Sequence, residues 1–112
     1  MNIRIGYGFD VHQLKEGEDL ILGGIKLPHV KGAVGHSDAD VLIHVLCDAI
    51  LGAANLRDIG YHFPDNSNKF KNIDSKILLK KVVEMITLKG FIINNIDSTI
   101  CLQNPKIKSF IP

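Results

Sequence analysis

Asp10 and His12 stand two residues apart in a stretch of alternating apolar character, and His44 stands alone among apolar neighbours further along the chain. On an extended backbone, residues i and i+2 project from one face, so this carboxylate and imidazole can converge on a single ion. A second imidazole would complete two nitrogens and one oxygen, a common protein set for catalytic zinc that leaves a fourth position for water or substrate. The D-x-H spacing alone arises readily by chance, and a single histidine among apolar residues is otherwise a core group bonded to a backbone carbonyl. Asp40 and Asp48 lie one helical turn on either side of His44. Each could accept the second ring N–H, as metal-bound histidines require. Alternatively, Asp40 complements a helix dipole and Asp48 faces solvent.

Three other stretches carry polar chemistry. Gly35-His36-Ser37-Asp38-Ala39-Asp40 precedes a helix, and the backbone N–H groups at a helix start form a natural anion site. His36 could donate to a phosphate oxygen there or be an ordinary loop histidine. Asp58-Ile59-Gly60 and Phe63-Pro64-Asp65-Asn66-Ser67 place carboxylates on loops, able to hold hydroxyls or a harder ion such as magnesium. The same residues also serve plain turns. In Asn104-Pro105-Lys106, the lysine could reach a phosphate or simply face water.

These residues need a scaffold. Ile3, Ile5, Tyr7, Phe9 and Val11 alternate at period two and predict a strand over 3–12. Gly6 and Gly8 on its other face offer bare backbone for a close approach by another chain or a ligand. Leu20–Leu22, Gly23-Gly24 and Ile25–Leu27 predict a hairpin, closed by Pro28. Ser37 is the expected N-cap of a helix whose body runs from Val41 to Ala54, with Asp38 and Asp40 in its first turn. That body is apolar on nearly every face, which calls for cover on all sides, including by another subunit. Residues 55–73 read as an irregular loop of a length usually reserved for function. A second helix is expected from Ser75 to Leu88, capped by Asp74 and stopped by Gly90. Phe91 to Leu102 reads as one or two strands, and residues 108–112 read as the start of another element. The fold class expected is α/β (α+β), a mixed β-sheet layered against helices, in a single domain over 1–112.

Bulk properties narrow the partners. The chain has 112 residues, 46% of them apolar, so it can bury one modest core. Its 13 basic and 12 acidic residues give a net charge of +1, which offers no electrostatic reason for nucleic acid or an anionic membrane. Cys47 and Cys101 sit in apolar runs and read as reduced, buried thiols. Neither a membrane span nor a signal peptide is visible, so a cytoplasmic enzyme is expected.

Taken together, the motifs resemble one family. Gly6-Tyr7-Gly8-Phe9-Asp10-Val11-His12 resembles the opening of the 2-C-methyl-D-erythritol 2,4-cyclodiphosphate synthases, and His36-Ser37-Asp38-Ala39-Asp40 with His44 resembles their second motif. Asp58-Ile59-Gly60, Phe63-Pro64-Asp65 and Gln103-Asn104-Pro105-Lys106 follow in the family's order, so the match covers residues 3 to 112. The resemblance implies a phosphorus-oxygen lyase of the non-mevalonate isoprenoid route. Its substrate is 4-diphosphocytidyl-2-C-methyl-D-erythritol 2-phosphate, which cyclises with release of CMP. It further implies Zn2+ or another divalent transition metal on Asp10, His12 and His44, with Mg2+ or Mn2+ on the substrate diphosphate.

Further roles follow from the same resemblance. His36 is the implied catalytic residue, with Ser37 beside it. Substrate contacts are implied for Asp10, Val11, His12, His36 and Ser37, and for Asp58, Ile59, Gly60, Phe63, Pro64, Asp65, Asn66 and Ser67 around the erythritol portion. Leu102, Gln103, Asn104, Pro105, Lys106, Ile107 and Lys108 are implied around the cytidine. Members form homotrimers with sites between subunits. Two departures stand out. Family members continue past the position of residue 112 with a Thr-Thr-Glu motif, so the domain here is expected to be C-terminally incomplete, and Ala39 replaces a usual glycine. The rival activities are a metal-dependent hydrolase and a binding module without turnover.

Overall fold

The computed structural model describes residues 3–27, 31–33, 40–64, 73–102 and 107–111. Four short strands come first: β1 (Leu14–Glu16), β2 (Leu20–Leu22), β3 (Ile25–Leu27) and β4 (Lys31–Ala33). The expected hairpin is present, with Leu20 opposite Leu27 and Leu22 opposite Ile25. Gly23 and Gly24 turn it at φ +61° and +80°, a left-handed pair that glycine adopts without a Cβ clash. β1 pairs antiparallel with β4. Strands layered beside helices give the α+β class expected, and among the described residues the strands form two antiparallel pairs.

Helices α1 (Val41–Ala53), α2 (Ile59–His62) and α3 (Ser75–Leu88) follow, then a single 3-10 turn at Lys108–Phe110. α3 begins and ends where the sequence predicts: Asp74 accepts from the Lys76 N–H at 2.9 Å, and Gly90 takes φ +86° beyond the last turn. α1 differs at its start. Its cap is Asp40, not Ser37, because the Asp40 carboxylate accepts from the Ile43 N–H at 3.1 Å. The same carboxylate takes the Gly23 and Gly24 N–H groups at 3.0 and 2.7 Å, so one fully buried side chain both starts the helix and docks the hairpin turn on it.

Two apolar clusters hold these pieces. Ile43, Cys47 and Leu51, spaced by four along one face of α1, pack with Val82 of α3. Leu20, Leu22 and Leu27 form the other, against Val41, Leu42, Ile100, Leu102 and Ile107. Complete burial of such a side chain stabilises by roughly 1.5–3 kcal/mol. The remaining face of α1 is only half covered at Val45, Leu46, Ala49 and Ile50.

Residues 3–12 are extended but have no strand partner among the described residues. Their alternation is present with the apolar side outward: Ile5 is 90% and Tyr7 82% exposed. The glycine side lies on α1 instead. A Cβ on Gly6 would collide with the Ala49 carbonyl oxygen, and one on Gly8 with that of Val45. Close approach is therefore made by this chain's own helix. Residues 91–102 likewise form no ladder, although strands were expected there. Period-two patterning asks only for a surface to bury against, and Ile100 and Leu102 find theirs on the hairpin cluster without a strand partner. Of the expected loop over 55–73, residues 55–64 are less irregular than expected, since α2 lies within them, and residues 65–72 lie outside the described residues.

Candidate metal centre

The extended segment crosses α1 from Ala49 toward the helix start, so it delivers Asp10 and His12 beside His44. Asp10, His12 and His44 each offer a ligating atom, and these atoms all lie within 4.8 Å of one another. Asp10 Oδ2 is 2.9 Å from His12 Nε2. The His12 and His44 rings meet edge-on with centroids 5.4 Å apart. Asp10 is exposed and both histidines are half-buried, so the cluster opens toward solvent on its carboxylate side. Two imidazole nitrogens and one carboxylate oxygen at this spacing suit a four-coordinate divalent ion with a position left open. The donor set fits zinc.

His44 is held from behind. Its Nε2 lies 2.9 Å from the hydroxyl oxygen of Ser75, the first residue of α3. The sequence pointed to Asp40 or Asp48 for that place, and the structure assigns both other work. Asp40 caps α1 and the hairpin turn, as above, while Asp48 Oδ1 accepts from the Ile59 N–H at 2.8 Å. Burial pushes the Asp48 carboxyl above its ordinary value, against the lowering effect of that hydrogen bond. A signal for Ser75 was present in the sequence. Ser75, Leu78, Val82 and Ile86 recur on the buried face of α3, so the serine is the polar member of an apolar stripe.

The loop after α1 is pinned at several points. Asn55 and Arg57 take φ of 58° and 73°, uncommon for residues with a Cβ, and they turn the chain sharply into α2. The Arg57 guanidinium sits 4.2 Å from the centroid of the Tyr61 ring. Asp58 caps α2 by accepting from the Tyr61 N–H at 2.9 Å, and His62 Nε2 donates to the Leu56 carbonyl oxygen at 2.6 Å. Asp58 and Gly60 are exposed, whereas Ile59, Phe63 and Pro64 are half-buried, with Ile59 and Phe63 packed on the core. Leu102 and Ile107 line the hairpin cluster, and Lys108 is exposed. Val11 points outward and is 74% exposed. His36, Ser37, Asp38 and Ala39 lie outside the described residues, as do Asp65, Asn66, Ser67, Gln103, Asn104, Pro105 and Lys106.

The cysteines divide. Cys47 is buried, its thiol pushed up to about 12 by burial and by the nearby Asp48 and Asp40 carboxylates. Cys101 is exposed, contrary to the buried position expected. None of the described helices is long and apolar enough to cross a membrane.

Comparison with known proteins gives a consistent result. Residues 3–112 match the YgbB family. A Bacteroides fragilis protein named 2-C-methyl-D-erythritol 2,4-cyclodiphosphate synthase is 68% identical over 112 residues, covering 100% of this chain and 70% of that protein. Among solved structures, the CDP complex of Plasmodium falciparum IspF superposes with a TM-score of 0.78 at 37% identity, covering 96% of this chain and 65% of that one. A CDP-bound 2C-methyl-D-erythritol-2,4-cyclodiphosphate synthase gives 0.72 at 41% identity, covering 78% of this chain and 58% of that one. The chain thus spans less than two thirds of both solved proteins.

Proposed function

Since this chain belongs to the YgbB family, whose curated members include 2-C-methyl-D-erythritol 2,4-cyclodiphosphate synthases, we propose that it carries out their cyclisation in isoprenoid precursor synthesis. The substrate is 4-diphosphocytidyl-2-C-methyl-D-erythritol 2-phosphate. An oxygen of its 2-phosphate attacks the β-phosphorus, forming a new P–O–P bond. The bond from that phosphorus to the bridging oxygen breaks, and CMP leaves with the electron pair. The product is the eight-membered 2,4-cyclodiphosphate. The observation that carries this function is the convergence of Asp10, His12 and His44.

The chemistry needs two like-charged phosphates held in line, with little covalent help from protein groups. A divalent ion such as zinc on Asp10, His12 and His44 would supply charge neutralisation and a Lewis-acid grip on a phosphate oxygen. Mg2+ or Mn2+ would accompany the substrate diphosphate. The chain's residues do the positioning. Asp10 and His12 present their donors from one side of the extended segment, and His44 presents its own from α1. His36 is assigned to stabilising charge in the transition state, with Ser37 adjacent. The turn from Asp58 to Gly60 and the run from Phe63 to Ser67 are assigned to the erythritol portion. Leu102 to Lys108 is assigned to the cytidine. The CDP carried by two structural relatives supports a cytidine nucleotide as ligand. Residues 1–112 are read as one domain acting in a cytoplasmic homotrimer, and the exposed apolar row from Ile3 to Val11 supports such an assembly.

The test is CMP release from the diphosphocytidyl substrate in the presence of zinc and magnesium, using the full-length protein and His44→Ala. Wild type is expected to release CMP with formation of the cyclic diphosphate, and His44→Ala to fall to background. Undiminished activity in His44→Ala, or a linear hydrolysis product in its place, would refute the assignment.

A further inference from the structure

Ser75 is fully buried, at 0% exposure, and its hydroxyl oxygen lies 2.9 Å from His44 Nε2. Capping does not explain it. Asp74 already caps α3 through the Lys76 N–H, so the helix start does not require this hydroxyl. Packing does not explain it either, because the other buried positions of the same face are Leu78, Val82 and Ile86. A hydroxyl kept in an apolar stripe at the cost of desolvation needs a polar purpose, and the His44 imidazole lies within hydrogen-bond distance of it.

We infer that Ser75 is a positioning residue for the metal centre, accepting the Nε2–H of His44 so that Nδ1 presents its lone pair toward Asp10 and His12. The inference rests on the metal-site function above. A ring nitrogen that binds a cation must be unprotonated, so the other nitrogen carries the hydrogen and needs an acceptor. Ser75 provides that acceptor from α3, while the ring itself belongs to α1 and its companions to the extended segment. The tautomer of His44 is then set by the packing of α3 on α1. Metal affinity becomes sensitive to a residue that does not touch the ion.

The experiment uses full-length protein stripped by a chelator and titrated with cobalt(II), whose visible absorption reports its coordination. Loss of the partner behind a metal-bound histidine costs roughly 10–100-fold in affinity, and a neutral hydroxyl belongs at the lower end, so about tenfold is expected for Ser75→Ala. The melting temperature of the metal-free protein should change little, and Ser75→Thr should restore affinity. In a proton–nitrogen correlation spectrum of zinc-loaded wild type, His44 should be protonated at Nε2 and metal-bound at Nδ1, which decides the question even where a variant folds poorly. Coordination through Nε2, wild-type affinity in Ser75→Ala, or weakening that Ser75→Thr fails to restore would each overturn the role of Ser75. Two outcomes separate this from the broader function. If wild type takes up no cobalt, or His44→Ala takes it up equally well, the metal site itself fails and the serine's role falls with it. If His44→Ala loses cobalt while Ser75→Ala keeps it, only the serine's role fails.

Discussion

The His12 and His44 rings meet edge-on with centroids 5.4 Å apart, though one belongs to an extended segment and the other to the first turn of α1. With Asp10 beside them, the folded state gathers a carboxylate and two imidazoles that could hold a divalent cation, an arrangement the unfolded chain lacks. Zinc should therefore raise the melting temperature. At a free concentration about 100 times Kd the stabilisation is about 2.7 kcal/mol. Calorimetry with and without a chelator measures it, and Asp10→Asn, which removes the one anionic donor, should lose most of the effect.

Gly6 and Gly8 set how closely the segment carrying Asp10 and His12 approaches α1. A methyl at Gly6 falls on the Ala49 carbonyl oxygen, and neither backbone can yield without separating the two elements. Overpacking of this kind costs about 1–3 kcal/mol even where side chains can move, and backbone contacts are less forgiving. Gly6→Ala is expected to lower stability by at least that range and to weaken zinc binding, although it lies outside the ligand set. Urea denaturation and metal titration report the two effects separately.

Asp40 serves three N–H donors from a fully buried position, at Gly23, Gly24 and Ile43. Asp40→Ala leaves those donors without their carboxylate. Losing a cap costs about 1 kcal/mol, and the two part-buried hairpin donors each lose a hydrogen bond to a charged group worth about 1.5–3 kcal/mol, so a loss of roughly 3 kcal/mol or more is expected. Asp40→Asn keeps one oxygen acceptor and should fall between the two. Equilibrium unfolding orders the three proteins, and equal stability of wild type and Asp40→Ala would contradict the assignment.

The thiols should react unequally. Alkylation needs the thiolate, and burial together with two carboxylates holds the Cys47 thiol near 12, whereas Cys101 is exposed. At about pH 8, where an ordinary cysteine is partly ionised, native protein should be labelled at Cys101 alone, and denatured protein at both. Peptide mass mapping distinguishes these results.

How legible was all this in the sequence? The hairpin and α3 could be read because local chemistry decides them: a Gly-Gly pair between alternating leucines, and an Asp cap before a helical stripe ending in glycine. The convergence of Asp10 and His12 could be read because residue type and period place them on one face. Segments 3–12 and 91–102 could not, because their alternation tells only that one face wants cover, and not which surface supplies it. The start of α1 was misplaced for a related reason. Ser37 is a good local cap, but Asp40 also serves the hairpin turn, a contact distant in sequence. Sequence spacing shows His44 only its i±4 neighbours on its own helix, whereas Ser75 reaches it from another.

Asp48 offers a prediction about pH. Its carboxyl is raised above 3.8, chiefly by burial and further by the Asp58 and Asp10 carboxylates, while its hydrogen bond to the Ile59 N–H and the nearby His44 work the other way. The protonated form is thus favoured in the fold more than in the unfolded chain. Between 3.8 and the raised folded value the folded state binds the extra proton, so this group's contribution to stability falls as pH rises through that window. Above it, the ionised carboxylate is a standing cost. Asp48→Asn keeps an oxygen to accept from Ile59 and removes the charge. The variant should melt higher than wild type at neutral pH, and the gap should close as pH falls toward 3.8. Melting curves of metal-free protein across that range provide the check, with the metal left out because an ion at His44 would favour a nearby negative charge. A gap that widens on acidification would mean that the carboxylate is stabilised in the fold, and that the hydrogen bond to Ile59 outweighs its burial.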